Sequence, residues 1–322
     1  MTITKNNSKI KNMPDYQNDL ILVTCASGKQ STALIPHILK SYKNIRLQCN
    51  SSSSAQSLSE KYPGTEVVQA DLFNADDCTR ILKDVTACWL VLPPFHPHET
   101  TLGTTFIDAC LAQKDSNGPF QHLVYSSVIH PILQKLLNHD CKRYVEEYLI
   151  ESGLDYTILQ PTHMMEMLPL AKLMEQEKPI YPCNWNPATK FSFVTTKDVG
   201  EAGARVLEQR EKHVAATYQL ISTALPLNYI EVCDIVSKAI GKEVKAEQKG
   251  FEDAVNTSIK MINGGKEPPK AMKEIGSRMF LYYNERGLIG NNNVTGWLLG
   301  REPTGYEEWV KMRVDEIKSG KN

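Results

Sequence analysis

No run of about 18 apolar residues occurs anywhere in this 322-residue chain, so nothing in it is built to cross a bilayer as a helix. Neither sign of charge is in excess: 36 Lys and Arg stand against 37 Asp and Glu, a formal net charge of -1. That balance offers no general attraction for nucleic acid or an anionic membrane. The eight cysteines (Cys25, Cys49, Cys78, Cys88, Cys110, Cys141, Cys183 and Cys233) show no paired spacing of the zinc or thioredoxin kind. They read as reduced core thiols of a cytoplasmic protein. The opening MTITKNNSKIKNMPDYQND lacks the apolar stretch of a secretory signal, and residues 1–18 are expected to be a disordered tail. His96-Pro97-His98-Glu99 superficially suggests a metal site. No distant His or Cys pair completes a ligand set, and Glu99 suits the first turn of a helix, so no metal is expected.

What is present is alternation. Leu20 to Thr24 is a short apolar run ending in a small-residue loop, and Leu34, Ile35, Ile38 and Leu39 then recur at helical spacing. Pro36 is compatible with that helix if it starts near Ser31 or Thr32. Further strands are expected at Ile45–Cys49, Glu66–Ala70, Ala87–Leu92, His122–Tyr125 and Tyr156–Leu159, with a helix at Asp140–Ser152 closed by Gly153. Strands alternating with helices imply a parallel sheet with helices on both faces. After Pro161 the pattern loosens, then resumes in a helix over Lys197–Glu208 opening on Asp198, a strand candidate at Tyr218–Ser222, and an amphipathic helix ending at Gly241. A chain of this length has room for a second, smaller lobe.

The first loop reads Thr24-Cys25-Ala26-Ser27-Gly28-Lys29-Gln30-Ser31. Placed between strand and helix, it is similar to the G-x-x-G-x-x-G turn of short-chain reductases, in which backbone amides and a helix N-terminus approach a pyrophosphate. Only the middle glycine is kept. Four more segments occur in matching order: VVQADL, WLVLPP, LVYSSV and HDCKRYVEEYLIESGLDYTILQP. Together they make the chain resemble the NmrA-like branch of the short-chain dehydrogenase/reductase superfamily from about Leu20 to Leu207.

The resemblance implies an α/β, Rossmann-type doubly wound parallel sheet with a smaller C-terminal α/β substrate lobe. Residues 19–160 would form the NAD(P)-binding domain and 161–322 the lobe, with 191–222 returning to the sheet. It also implies a cofactor lined by Thr24, Cys25, Ser27, Gly28, Lys29, Gln30, Asn50, Asp71, Leu72, Pro93, Pro94, Lys142 and Pro161. In that assignment the loop faces the pyrophosphate, Asp71 and Leu72 the adenine, and Lys142 the nicotinamide ribose. The plainer readings are a turn or helix-capping aspartate for Asp71, a loop pair for Pro93-Pro94 and a solvated helix lysine for Lys142.

Cofactor choice turns on the end of the second strand, Cys49-Asn50-Ser51-Ser52. No carboxylate is there to repel a 2′-phosphate and Lys29 offers positive charge, so NADP is preferred over NAD; the missing arginine clamp implies weak binding. The tyrosine that short-chain reductases place before the lysine is Asn138 here. The candidates for catalysis are therefore Lys142, with His139, His130 or Tyr144 as proton donor and Ser126 or Ser127 polarising a carbonyl. His130, His163, Met164, Met167 and Trp185, with Met165 and Phe191 nearby, are candidates for an apolar substrate pocket or for interlobe core.

Three functions follow: an atypical NADPH-dependent reductase of a medium-sized carbonyl, quinone or enone; an NADP-sensing regulator that engages a protein partner; or a non-redox isomerase, dehydratase or cyclase on the same fold. The expected partner is a small molecule of apolar character, with no nucleic acid and no membrane.

Overall fold

The structure, a computed structural model, describes residues 13–320. Its first half runs β1 (Leu20–Val23), α1 (Lys29–Ile38), β2 (Asn44–Cys49), α2 (Ser52–Lys61), β3 (Glu66–Gln69), α3 (Ala75–Leu82), β4 (Ala87–Val91), α4 (Glu99–Asp115), β5 (His122–Ser126), α5 (Leu137–Glu151) and β6 (Tyr156–Pro161). The remainder comprises β7 (His163–Met164), α6 (Leu170–Glu175), β8 (Ile180–Cys183), β9 (Phe193–Val194), α7 (Thr196–Glu208), β10 (Ala216–Leu220), α8 (Tyr229–Ile240), β11 (Lys245–Gln248), α9 (Phe251–Ile262), α10 (Lys270–Glu285), α11 (Asn293–Leu299) and α12 (Tyr306–Lys318).

Seven strands form one parallel sheet in the order β3-β2-β1-β4-β5-β6-β10. The order reverses between β1 and β4, which opens a crevice beyond their carboxyl ends. Successive residues of β1 and β4 serve opposite faces: Ile21 and Trp89 join Leu34, Ile35, Val199 and Val206 of α1 and α7. Leu22, Cys88 and Leu90 join Phe106, Ile107 and Val145 of α4 and α5. Helices α1 and α7 approach closely because α7 carries glycine at the contact. A Cβ built on Gly200 would lie 2.5 Å from the carbonyl carbon of Ala33, and one on Gly203 2.6 Å from the Trp89 ring. The segment between β6 and α7, with α8–α10 and α12, builds a separate core around Trp185, Phe191, Phe193, Tyr229, Phe280 and Trp309. Among the described residues no helix is long and apolar enough to cross a membrane.

Several expectations are corrected. Helix α1 starts at Lys29, directly after extended Gly28 (φ −77°, ψ 159°), so Pro36 lies inside it. The missing N–H there falls near the carboxyl end, where one lost bond is tolerable. Helix α7 is capped by Thr195, whose Oγ1 accepts from the Asp198 amide. Asp198 itself is buried and accepts bonds from Ser222 Oγ (2.6 Å), Thr304 N (2.8 Å) and the Arg301 guanidinium (2.8 Å). Residues 13–18 of the expected tail are anchored: the Tyr16 ring meets Tyr42 edge-on at 5.1 Å, its hydroxyl donates to Glu208 O, and buried Arg210 bonds Met13 O and Asp19. Residues 1–12 lie outside the described residues.

Candidate functional site

Beyond the carboxyl ends of β1, β2, β4, β5 and β6 lies a cavity of about 550 Å³. Its floor is the β1–α1 loop. Cys25 holds φ +44°, the backbone shape that glycine takes freely. Its N–H donates to Gln48 Oε1 (2.8 Å), while Gln48 Nε2 donates to Ala70 O (2.7 Å) and Gln48 O accepts from Ala26 N (2.8 Å). Gln48, only 2% exposed, therefore ties the loop to β2 and β3. Nothing in the sequence marks it, because a glutamine near the end of a strand announces no role until its neighbours are known. Ser31, where the family pattern has its last glycine, turns its hydroxyl back onto Thr24 O (2.9 Å). Gly28 leaves α1 without a side-chain cap, so the first amides of that helix stay available to an anion. A Cβ at Gly28 would sit 3.1 Å from Cys25 O. Burial pushes the Cys25 thiol up to about 12, Lys142 opposing and Glu99 adding to the rise; it stays protonated at neutral pH.

The opposite wall carries charge. Lys142 projects from α5 into the cavity and is ion-paired with Glu99 of α4, which is 1% exposed. Cys141 Sγ donates to the other Glu99 oxygen (3.4 Å). Burial pulls the lysine's pKa down, but the adjacent Glu99 charge outweighs it and holds the ammonium above its ordinary value. This excludes the solvated-lysine reading. Ser126 donates to Gln30 Oε1 (2.6 Å), Ser127 lies beside it, and Asn138 occupies the wall at the missing tyrosine's position.

Most expected cofactor residues border this cavity: Cys25, Ser27, Gly28, Lys29, Gln30, Asn50, Pro93, Pro94, Lys142 and Pro161. Thr24 lies beneath it, its hydroxyl donating to Val91 O (2.9 Å). Asp71 and Leu72 lie outside. Asp71 closes a turn, its carboxylate accepting from the Phe73 amide (3.0 Å), and Leu72 is core. Lys29 points away from the end of β2 and donates to Glu166 O (3.1 Å) beside Met167, so its charge serves the C-terminal lobe. At the end of β2, Ser51 caps α2 through the Ser54 amide.

Of the proposed proton donors, none of the three reaches the cavity. His139 is fully buried with Nδ1 on His130 O (3.4 Å), and burial drives its pKa down to about 4. Helix α5 starts at Leu137, so His139 already turns inward. Tyr144 is exposed beneath the Arg143 guanidinium, and His130 Nε2 sits 2.7 Å from Ile289 O. In the expected substrate pocket, Met164 and Met167 line the cavity. His163 and Trp185 instead belong to the lobe's aromatic core, with His163 Nε2 2.8 Å from the Tyr229 hydroxyl and its pKa lowered by burial to about 4. Glu99, Phe95 and Ile262 are among the lining residues that were not foreseen. The His98 ring lies tilted against Phe73, centroids 5.4 Å apart, and among the described residues no three His, Cys, Asp or Glu side chains converge as metal ligands.

A parallel sheet with this switch point, an uncapped first helix and a charged fifth helix define a fold of the NAD(P)-binding, short-chain-reductase kind. The chain belongs to the NmrA-like family, whose model matches residues 17–310. It is 22% identical over 298 residues to prestalk A differentiation protein A of Dictyostelium discoideum, covering 90% of this chain and 91% of that one. Its fold is similar to an NADPH-dependent quinone oxidoreductase of Escherichia coli solved with NADPH (TM-score 0.73, 20% identity, 91% of this chain and 99% of that one). It is likewise similar to NmrA, a negative transcriptional regulator, solved with NAD (TM-score 0.72, 18% identity, 94% and 98% covered).

Proposed function

We propose that the chain binds NADP(H) in the 550 Å³ cavity and reduces a medium-sized, partly apolar carbonyl, quinone or enone. The observation that carries this reading is the convergence of the Ser27–Gln30 loop, Asn50, Pro93-Pro94 and Lys142 on one cavity at the sheet's switch point. The residues fit the cofactor. The uncapped amides of α1 receive the pyrophosphate, Asn50 leaves a 2′-phosphate unopposed near the positive end of α2, and Lys142 meets the nicotinamide ribose. The reduced nicotinamide, when bound, supplies the hydride. Phe95, Met164, Met167 and Ile262 offer an apolar wall to the substrate. Lys142, kept charged by Glu99, polarises the substrate oxygen and donates its proton as negative charge develops there.

Calorimetric titration tests the cofactor half, and turnover across a panel of quinones and aldehydes tests the chemistry. NADPH is expected to bind more tightly than NADH yet weakly for this class, since β2 ends with neither a carboxylate nor an arginine. Equal affinities, or a preference for NADH, would overturn that specificity. One observation favours a second reading: Asn138 stands where a reductase's phenol would act. NADP retained through purification with no turnover on the panel would favour a cofactor-sensing regulator that engages a protein partner.

A further inference from the structure

Gln30 lies in the uncapped first turn of α1, where the first helical bond runs from Thr32 N to Gly28 O (2.9 Å). Its side chain adds a donor to the open amides of that turn. Gln30 Oε1 accepts from the hydroxyl of Ser126 (2.6 Å), the last residue of β5 and only 2% exposed. Strand β4 stands between β1 and β5 and pairs with Ser126 at Val91. The Gln30 side chain therefore crosses the carboxyl end of β4, beside the point where the strand order reverses. Its Nε2 has no partner among the described residues and is not buried. Both residues border the dinucleotide cavity, so the Nε2 hydrogens open onto it. A serine hydroxyl carries one proton. With that proton on Gln30, Ser126 is not free to polarise a carbonyl; it fixes the amide with oxygen toward β5 and nitrogen toward the cavity. The flipped amide would leave the buried Ser126 proton without an acceptor among the described residues, which is costly.

We propose that the Gln30 side chain holds the nicotinamide mononucleotide half of the dinucleotide, its Nε2 donating to an acceptor oxygen there, and that Ser126 is the positioning residue that orients it. The inference rests on the dinucleotide reading above. The half is chosen by place. Ser126 is followed along the cavity wall by Ser127 and, after the β5–α5 loop, by Asn138 and Lys142 at the reacting end. The adenosine half runs the other way, toward Asn50 beyond the end of β2, on the far side of β1.

The test is calorimetric titration of the full chain with NADPH and with adenosine 2′,5′-bisphosphate, which keeps the phosphorylated adenosine and lacks the nicotinamide mononucleotide half. Gln30→Met preserves the length of the side chain and removes the donor. It is expected to weaken NADPH about threefold to tenfold, the loss of one neutral hydrogen bond, and to leave the bisphosphate unchanged. Ser126→Ala should weaken NADPH by a smaller factor. The double variant should be no weaker than Gln30→Met alone, because the serine acts only through the glutamine. Equal losses for both ligands would put Gln30 on the adenosine side, unchanged NADPH affinity in Gln30→Met would leave its amide without a ligand contact, and additive losses would give Ser126 a contact of its own; each would overturn the assignment. Failure of the unaltered chain to bind NADPH would instead remove the dinucleotide reading, and the assignment with it.

Discussion

Cys25 holds a positive φ at a cost of about 1 kcal/mol relative to glycine, with its sulfur beside the approach to the α1 amides. Cys25→Gly is therefore expected to tighten NADP(H) binding by up to about tenfold, read by calorimetry. Unchanged affinity would mean that neither the strain nor the thiol obstructs the cofactor. With its pKa pushed up to about 12, the thiol should also resist alkylation by iodoacetamide at pH 8. The Lys142–Glu99 pair gives a sharper test. Removing one partner of a buried ion pair strands the other, at about 3–5 kcal/mol, whereas replacing both with apolar groups is near neutral. Lys142→Ala should thus lower stability in denaturant unfolding, and Lys142→Met/Glu99→Leu should recover most of it. Cofactor binding should stay weak in both. Recovery of affinity in the double variant would make the pair purely structural. The loop was legible in the sequence despite two lost glycines, because the strand before it and helix after it constrain its path. Glu99 was read as a helix-start residue, since its partner lies 43 positions away and no local pattern joins them. Gln48, which ties the loop to β2 and the end of β3, was hidden for the same reason.

Helix α1 owes its position to α7, because the glycines of α7 let the two backbones meet. Gly200→Ala would push its Cβ against backbone atoms of Ala33 and Leu34. It is expected to cost about 1–3 kcal/mol as overpacking and to weaken cofactor binding by displacing the amides at Lys29 and Gln30. Denaturant melts and NADPH titration of the same variant would check both effects. A stability loss with unchanged affinity would show that the loop is held by Gln48 and Ser31 instead. The strands around this helix were readable as apolar runs because most are buried on both faces. The start of α1 was misplaced because Pro36 was weighed as a strict bar to an earlier start, while the fold tolerates one missing bond near the helix's end. Past Gly241 the sequence pointed only to a C-terminal lobe with no particular element, and β11 and α9–α12 come from the structure. The apolar residues of β11, α9, α10 and α12 pack into a shared core with the segment around Trp185, while Leu298 and Leu299 of α11 join the core of α1 and α7, and that grouping is not written in any one stretch.

Buried histidines contribute to the molecule's response to acid, His213 among them, its pKa lowered chiefly by burial. Burial lowers His122 to about 3 and His139 and His163 to about 4, against about 6.5 in an unfolded chain. Between those values the unfolded state binds more protons than the native one, so stability falls as pH drops from 6.5 toward 4. The slope approaches about 1.4 kcal/mol per pH unit for each histidine. Denaturant melts across that window should show the decline, and His163→Phe should remove up to about one proton of uptake on unfolding. A flat profile would contradict the buried neutral state. The sheet's topology bears on a different matter, the order in which a growing chain can be completed. Six strands are in hand once Pro161 has emerged, but α7, which covers the α1 face, and β10, which pairs with β6, follow only after the excursion through β7–β9. A chain stopped before that return would show an unpaired β6 edge and a bare apolar face, both templates for association. On the ribosome, the half that carries the first six strands must therefore wait for sequence that lies beyond it.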